Sequence, residues 1–310
     1  MAAESPAPLV LEATIPLGKV SGRIDHMAVD LARRRLFVAE FGNDSLAVVD
    51  LAVGQVVRQV AGLKEPQGVV HVPVRDLVVV ANGGDGSLDF FRAGDLLPVG
   101  RVELGSDADN LRLDIGTGRI FAGHGEGGLA VVEPTSRSKL MDIPLTAHPE
   151  GCQLAADGRR AFVNLPDARQ IAVVDVAVGR QEAAWPLGGL GSNFPMAIER
   201  NGKRLAVAFR APPTVALLDT ENGQVIARQP SCGDADDLFF DERLLRIYLS
   251  CGEGALEVFA SGDLRRIARI ETAPGARTAL FVPELDRLYV AARGGLPGGE
   301  ARILVFHPAP

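Results

Sequence analysis

One short pattern returns seven times along this chain and restricts the fold more than any other feature. An apolar pentad, usually closed by an acid, occupies Leu46–Asp50, Leu88–Arg92, Leu129–Glu133, Ile171–Asp175, Val215–Asp219, Leu256–Ala260 and Ile303–His307. Successive copies start 42, 41, 42, 44, 41 and 47 residues apart. About ten residues upstream runs a second pattern, an Arg before a short apolar core. It stands at Arg35, Arg119, Arg160, Arg204, Arg246 and Arg287, with Leu77 in the second repeat. Helical solenoids share such periods, but these segments are short, β-branched and bounded by Gly or Pro. Four short strands per repeat make the unit of a propeller blade. The Asp/Gly pairs Asp50/Gly54, Asp175/Gly179 and Asp219/Gly223 supply the turn after the pentad, since Asp bonds its own backbone and Gly accepts positive φ.

The expected fold is therefore all-β, a seven-bladed β-propeller of four-stranded blades forming one domain over residues 1–310. The seventh repeat stops after its third strand. The segment Leu9–Pro16 resembles the fourth strands of other blades, such as Gln55–Val60, and is expected to complete the last blade and hide a sheet edge. The longer seventh spacing reflects an extra loop, Gly294–Glu300.

Composition narrows the function classes. The net charge of −7, with no local Lys/Arg run, argues against a nucleic-acid partner. No apolar stretch is long enough to span a membrane as a helix. No P-loop or dinucleotide fingerprint is present, so no nucleotide cofactor is expected. Residues 1–8 read as a flexible Ala/Pro leader of an exported, periplasmic protein, with a cytoplasmic location still open. Cys232 and Cys251 fall on adjoining strands where a disulfide is feasible in an exported protein, while Cys152 reads as packing.

In a propeller the first strand of each blade lines the central channel, so the residues that open these strands converge on one mouth. Aligned by repeat, the first ring is Asp25, Gln67, Asp109, Glu150, Phe194, Asp236 and Arg277. One residue on stand His26, Gly68, Asn110, Gly151, Pro195, Asp237 and Thr278. Two residues before the first ring stand Arg23, Glu65, Asp107, His148, Ser192, Asp234 and Gly275. Loops between second and third strands open on the same face and would add Asn82, Asp85, His124, Glu126, Asn164, Asp167, Arg210, Glu253 and Arg293.

Several unpaired buried carboxylates cost more than a domain can offset. These acids must be hydrated, paired with arginine or bound to a cation. A divalent metal, Ca²⁺ or similar, fits a site drawn from Asp109, Asn110, His148, Glu150 and Asp236, with Asp109, Asn110, Glu150 and Asp236 as its holders in an enzyme. His26 or His148 would act as general base, and Arg277 would anchor or stabilise negative charge. Arg23, Asp25, Gln67, Asp237 and Arg293 would hold the ligand. Plainer readings stand beside these: Asp107 and Asp234 as turn formers, His26 as a structural histidine, Arg277 as a neutralising charge.

The chain also resembles the bacterial YncE-like, or YVTN-repeat, propellers over essentially its whole length. The resemblance rests on Arg23–Asp30, Glu65-Pro-Gln-Gly68, Asp107-Ala-Asp-Asn110, Asp234–Asp241 and Gly275-Ala-Arg-Thr278. The strand cores Leu36-Phe-Val-Ala39 and Leu288-Tyr-Val-Ala291 are looser than the namesake Tyr-Val-Thr-Asn. It implies a seven-bladed propeller and, commonly, export to the periplasm, but no single activity. More distantly, the channel acids resemble those of calcium-dependent propeller lactonases, which implies metal roles for Asn110, Glu150 and Asp236. The expected function is a small-molecule site at the channel mouth, a metal-assisted hydrolase (lactonase-like) or lyase. The alternative is a non-catalytic propeller that binds a small ligand, a metal or a protein partner.

Overall fold

The computed structural model describes residues 7–294 and 299–310. Residues 1–6 of the expected leader, and part of the loop Gly294–Glu300, lie outside them. Seven antiparallel sheets of four strands form the ring, six of them in unbroken chain order. Their inner strands are Met27–Asp30, Pro66–Val72, Leu111–Leu113, Cys152–Leu154, Gly191–Ile198, Ala235–Asp241 and Ala279–Val282, in blades one to seven.

The pentads are the third strands, and their unbroken apolar character follows from packing on both faces. Strand side chains alternate. In blade one, Leu46 and Val48 enter the cluster shared with blade two, while Ala47 and Val49 enter the cluster shared with blade seven. Blade three divides the same way, Leu129 and Val131 toward blade four, Ala130 and Val132 toward blade two. Such clusters occupy every one of the seven blade junctions. Each fully buried Val or Leu contributes about 1.5–3 kcal/mol. A ring with a core at every junction has no terminal blade to protect.

In three blades the repeated arginine at the start of the second strand is an inter-blade clamp, while Arg160 and Arg287 pair within their own blades with Glu182 and Glu12. Arg35 donates to the carbonyl of Gly94 at 3.0 Å, in the turn after the third strand of blade two. Arg204 reaches Ser261 at 2.6 Å and Arg246 reaches Ala309 at 2.5 Å, at the equivalent places in blades six and seven. A guanidinium satisfies these turn carbonyls with charge-assisted bonds. The Asp/Gly turn forms as its chemistry requires: Asp50 Oδ1 accepts from the Ala52 amide at 2.8 Å, and Gly54 sits at φ +67°.

Blade seven consists of Ala279–Val282, Arg287–Ala292, Ala301–Pro308 and the N-terminal strand Leu9–Gly18. Leu9 pairs with Pro308 and Gly18 with Ala301, so the closing strand runs two residues beyond the Leu9–Pro16 expected. Pro8 accepts from the Ala309 amide at 3.0 Å, which pins the chain just ahead of that strand. Cys232 and Cys251 form a disulfide with their Cα atoms 5.9 Å apart. Cys152 is free and buried, and burial pushes its thiol up to about 12, which makes it a poor nucleophile.

Candidate functional site

All seven residues of the first ring line one cavity of about 480 Å³ at the centre of the molecule. Six of the second ring do as well, Thr278 being the exception. Of the third ring only Arg23 does so. The reason is local backbone geometry: Glu65, Asp107, Ser192, Asp234 and Gly275 all have positive φ, between 42° and 80°. These are turn positions, which explains their short or polar residues.

The cavity divides electrostatically. Toward blades five to seven the acids are paired. Arg210 Nη2 meets Asp236 Oδ1 at 2.5 Å, and its Nη1 lies 3.3 Å from Asp234. Arg277 holds Asp234 at 2.8 Å through Nη1 and Asp236 at 3.2 Å through Nε. The Arg210 guanidinium also lies 3.7 Å from the Phe194 ring centroid, a cation–π contact in a partly desolvated site. Burial pushes Asp236 up despite these arginines, while Asp236 and Asp234 outweigh the cost of burying Arg277 and hold its pKa high. At blade one, Arg23 Nη2 bridges Asp25 at 2.7 Å and Gln67 Oε1 at 2.6 Å.

Toward blades three and four there is no arginine partner. Asp109 and Glu150 accept no side-chain hydrogen bond from protein among the described residues, although Asp109 is only 8% exposed. Asn110, equally buried, has no side-chain partner either. Burial pushes Asp109 well above the usual carboxylate range, and the charges of Glu150 and Asp25 add to it. Burial, then Asp236, push Glu150 up to about 7. One ligand atom from each of Asp109, Glu150 and His148 falls within 4.8 Å of the others. His148 Nδ1 lies 2.6 Å from the Gly125 carbonyl, which can only accept, so Nδ1 carries a proton and Nε2 is the nitrogen left to face a metal. A backbone carbonyl fixing the tautomer in this way is the usual support of a metal-binding histidine.

Asp109, Glu150 and His148, all among the candidates expected from the sequence, form a group with the reach to hold a metal, while Asp236, expected beside them, is drawn to Arg210 and Arg277. An imidazole with two carboxylates suits Zn²⁺ or Mn²⁺ better than Ca²⁺, which prefers oxygen throughout.

His26 sits between two acids, Nε2 3.8 Å from Asp25 and Nδ1 3.6 Å from Asp237. Burial opposes its charge, but Asp237, Asp25 and Asp109 outweigh it and raise its pKa to about 10. Asp237 in turn accepts the Ala279 amide at 2.8 Å. With a carboxylate facing each nitrogen, the surroundings favour the protonated ring.

Of the residues expected from the second-to-third-strand loops, Arg210 alone lines the cavity. Asp85 pairs with Arg101 at 2.6 Å, Glu253 with Arg269, and His124 with Asp142 at 2.9 Å. Asn82 bonds Ser87 within its own hairpin at 3.0 Å, Asn164 donates to the Phe194 carbonyl of blade five at 2.9 Å, and Glu126 and Asp167 are exposed. Arg293 is also exposed and lies against Gly275 outside the cavity. The cavity further contains Arg112, Gln153, Ile198, Arg200, Phe240, Glu242 and Leu280, which attention to the strand openings alone did not select.

No family model matches the sequence, and no curated protein matches it. Among solved structures, hydrazine synthase of Kuenenia stuttgartiensis superposes with a TM-score of 0.79 over 94% of each chain, at 16% identity. In all, 1809 solved chains match, so the likeness identifies the propeller fold and nothing finer.

Proposed function

We propose that this propeller acts on a small molecule at its polar mouth, with a divalent transition-type metal held by Asp109, Glu150 and the Nε2 of His148. The observation that carries this reading is Asp109, more than nine-tenths buried, facing the cavity and without a donor, grouped with Glu150 and a tautomer-fixed histidine. Such a metal supplies Lewis acidity and lowers the pKa of bound water. The chain's own residues fill the complementary roles. His26 carries a proton to deliver to a leaving oxygen or nitrogen. Arg277, its Nη1 and Nε engaged, presents Nη2 to an acceptor on the substrate. Asn110 offers an unused amide. This constellation suits hydrolysis or elimination at a carbonyl-bearing molecule, as a lactonase-like hydrolase or a lyase. Kinship with the YncE-like propellers and a periplasmic location belong to the same proposal, supported by a disulfide of the kind that persists in oxidising compartments.

A second reading has one observation in its favour. The arginines at the mouth are all paired with acids, so the surface is preorganised and largely self-neutralised, as in a non-catalytic binding site. Elemental analysis of the protein purified without added metal, and of Asp109→Asn/Glu150→Gln, decides between them. Near-stoichiometric metal lost in the variant, with turnover of ester, lactone or β-elimination substrates, supports the enzyme. Metal without turnover supports the binding site. No metal after soaking in Zn²⁺ and Mn²⁺ overturns the metal centre.

A further inference from the structure

Resting on that metal-centred reading, we propose that the site takes an amphipathic ligand: a compact polar head at the acid ring and an apolar tail down the channel. The cavity does not end at the ring. It continues along the inner strands to Arg112, Arg200 and Glu242 toward the opposite side of the propeller. Its volume of about 480 Å³ leaves room for more than an ion and a small head group.

The two walls below the ring differ. On blades three and four the wall is polar, and its side chains are tied in part to backbone. Arg112 Nε donates to the Cys152 carbonyl at 2.7 Å, and Gln153 Nε2 to the Met196 carbonyl at 2.8 Å. On blades five to seven, Ile198, Phe240 and Leu280 line the cavity and are only half-buried. Each packs one side against a junction cluster and leaves the rest to the channel. Between the acid ring and the Arg200 and Glu242 at its far end, this wall is lined by apolar side chains, so water there gains little and a hydrocarbon chain gains contact. A polar, metal-binding upper end joined to an apolar lower wall selects ligands that combine both characters.

Straight-chain alkyl hydroxamates test this, because the head binds a metal and the tail length varies freely. Affinities of acetyl, butyryl, hexanoyl and octanoyl hydroxamate for the Zn²⁺-loaded full chain are measured by calorimetry. The expected result is a tightening of about two- to fourfold per methylene, the value for burying CH₂. In Leu280→Gln and Ile198→Asn that slope falls while acetohydroxamate affinity and zinc content stay unchanged. Two different variants guard against one that folds poorly. Affinity independent of chain length, or an unchanged slope in both variants, overturns the amphipathic ligand and leaves the metal centre standing. Failure of acetohydroxamate itself to bind removes the metal-centred reading and this proposal together.

Discussion

His26 should stabilise the fold by an amount that depends on pH in a direction fixed by its surroundings. Its pKa rises from 6.5 to about 10 because Asp237 and Asp25 flank both ring nitrogens and outweigh burial. Each pH unit of displacement is worth about 1.4 kcal/mol, which sets a ceiling of about 5 kcal/mol. The ring is 20% exposed to a wet cavity, and solvent screening brings the expected contribution down to about 2–3 kcal/mol. A raised folded-state pKa gives stability that is complete below 6.5 and disappears as pH rises through 10. His26→Gln should therefore cost about 2–3 kcal/mol in urea unfolding at pH 6, and the gap from wild type should close by pH 10. The imidazole resonances of His26, followed by NMR in metal-free buffer, should still report a charged ring at pH 8. Titration of His26 near 6.5, or a stability gap that stays constant from pH 6 to 10, would refute this account of the ion cluster.

Other outcomes are equally definite. Reducing Cys232–Cys251, or replacing both by Ala, should cost about 3 kcal/mol by the loop-closure relation for their separation of 19 residues, read as a lower denaturation midpoint. Gly68→Ala places a Cβ 2.2 Å from the Asp109 carbonyl oxygen; it should destabilise by about 1–3 kcal/mol and weaken metal uptake without touching a ligand. Deleting residues 1–18 exposes the strand Ala301–Pro308, and should make the chain self-associate more than the intact one in light scattering, unless a synthetic Leu9–Gly18 peptide is added.

The ring architecture was legible because its signal is repeated seven times, and averaging over copies fixes register to the residue. That is why the whole first ring, from Asp25 to Arg277, reached the cavity as aligned. Partnership was less legible. Asp85, Glu253 and His124 are neutralised by Arg101, Arg269 and Asp142, all on fourth strands, where the sequence is the least patterned and gives no pairing signal. Asp236 was assigned to a metal because its neighbours in the alignment are acids. In space the deciding neighbours are Arg210 and Arg277 from the blades on either side. His148 lay in the third ring, whose members mostly turn away, and only contact with the Gly125 carbonyl reveals its free nitrogen. The repeated arginine was visible as a pattern, but the carbonyl partners that Arg35, Arg204 and Arg246 find one blade on leave no side-chain signature.

The closing strand sets a timing problem for synthesis. Leu9–Gly18 leaves the ribosome early, yet its partner Ala301–Pro308 lies at the far end of the chain. For nearly the whole of translation an open arc of blades carries two unsatisfied edges, and the first strand waits without a sheet to join. Moving the chain ends into a hairpin turn, by circular permutation, would let every blade close on itself as it emerged. The last event would then be the docking of two finished sheets, an apolar contact between faces, instead of the capture of a lone strand by its backbone.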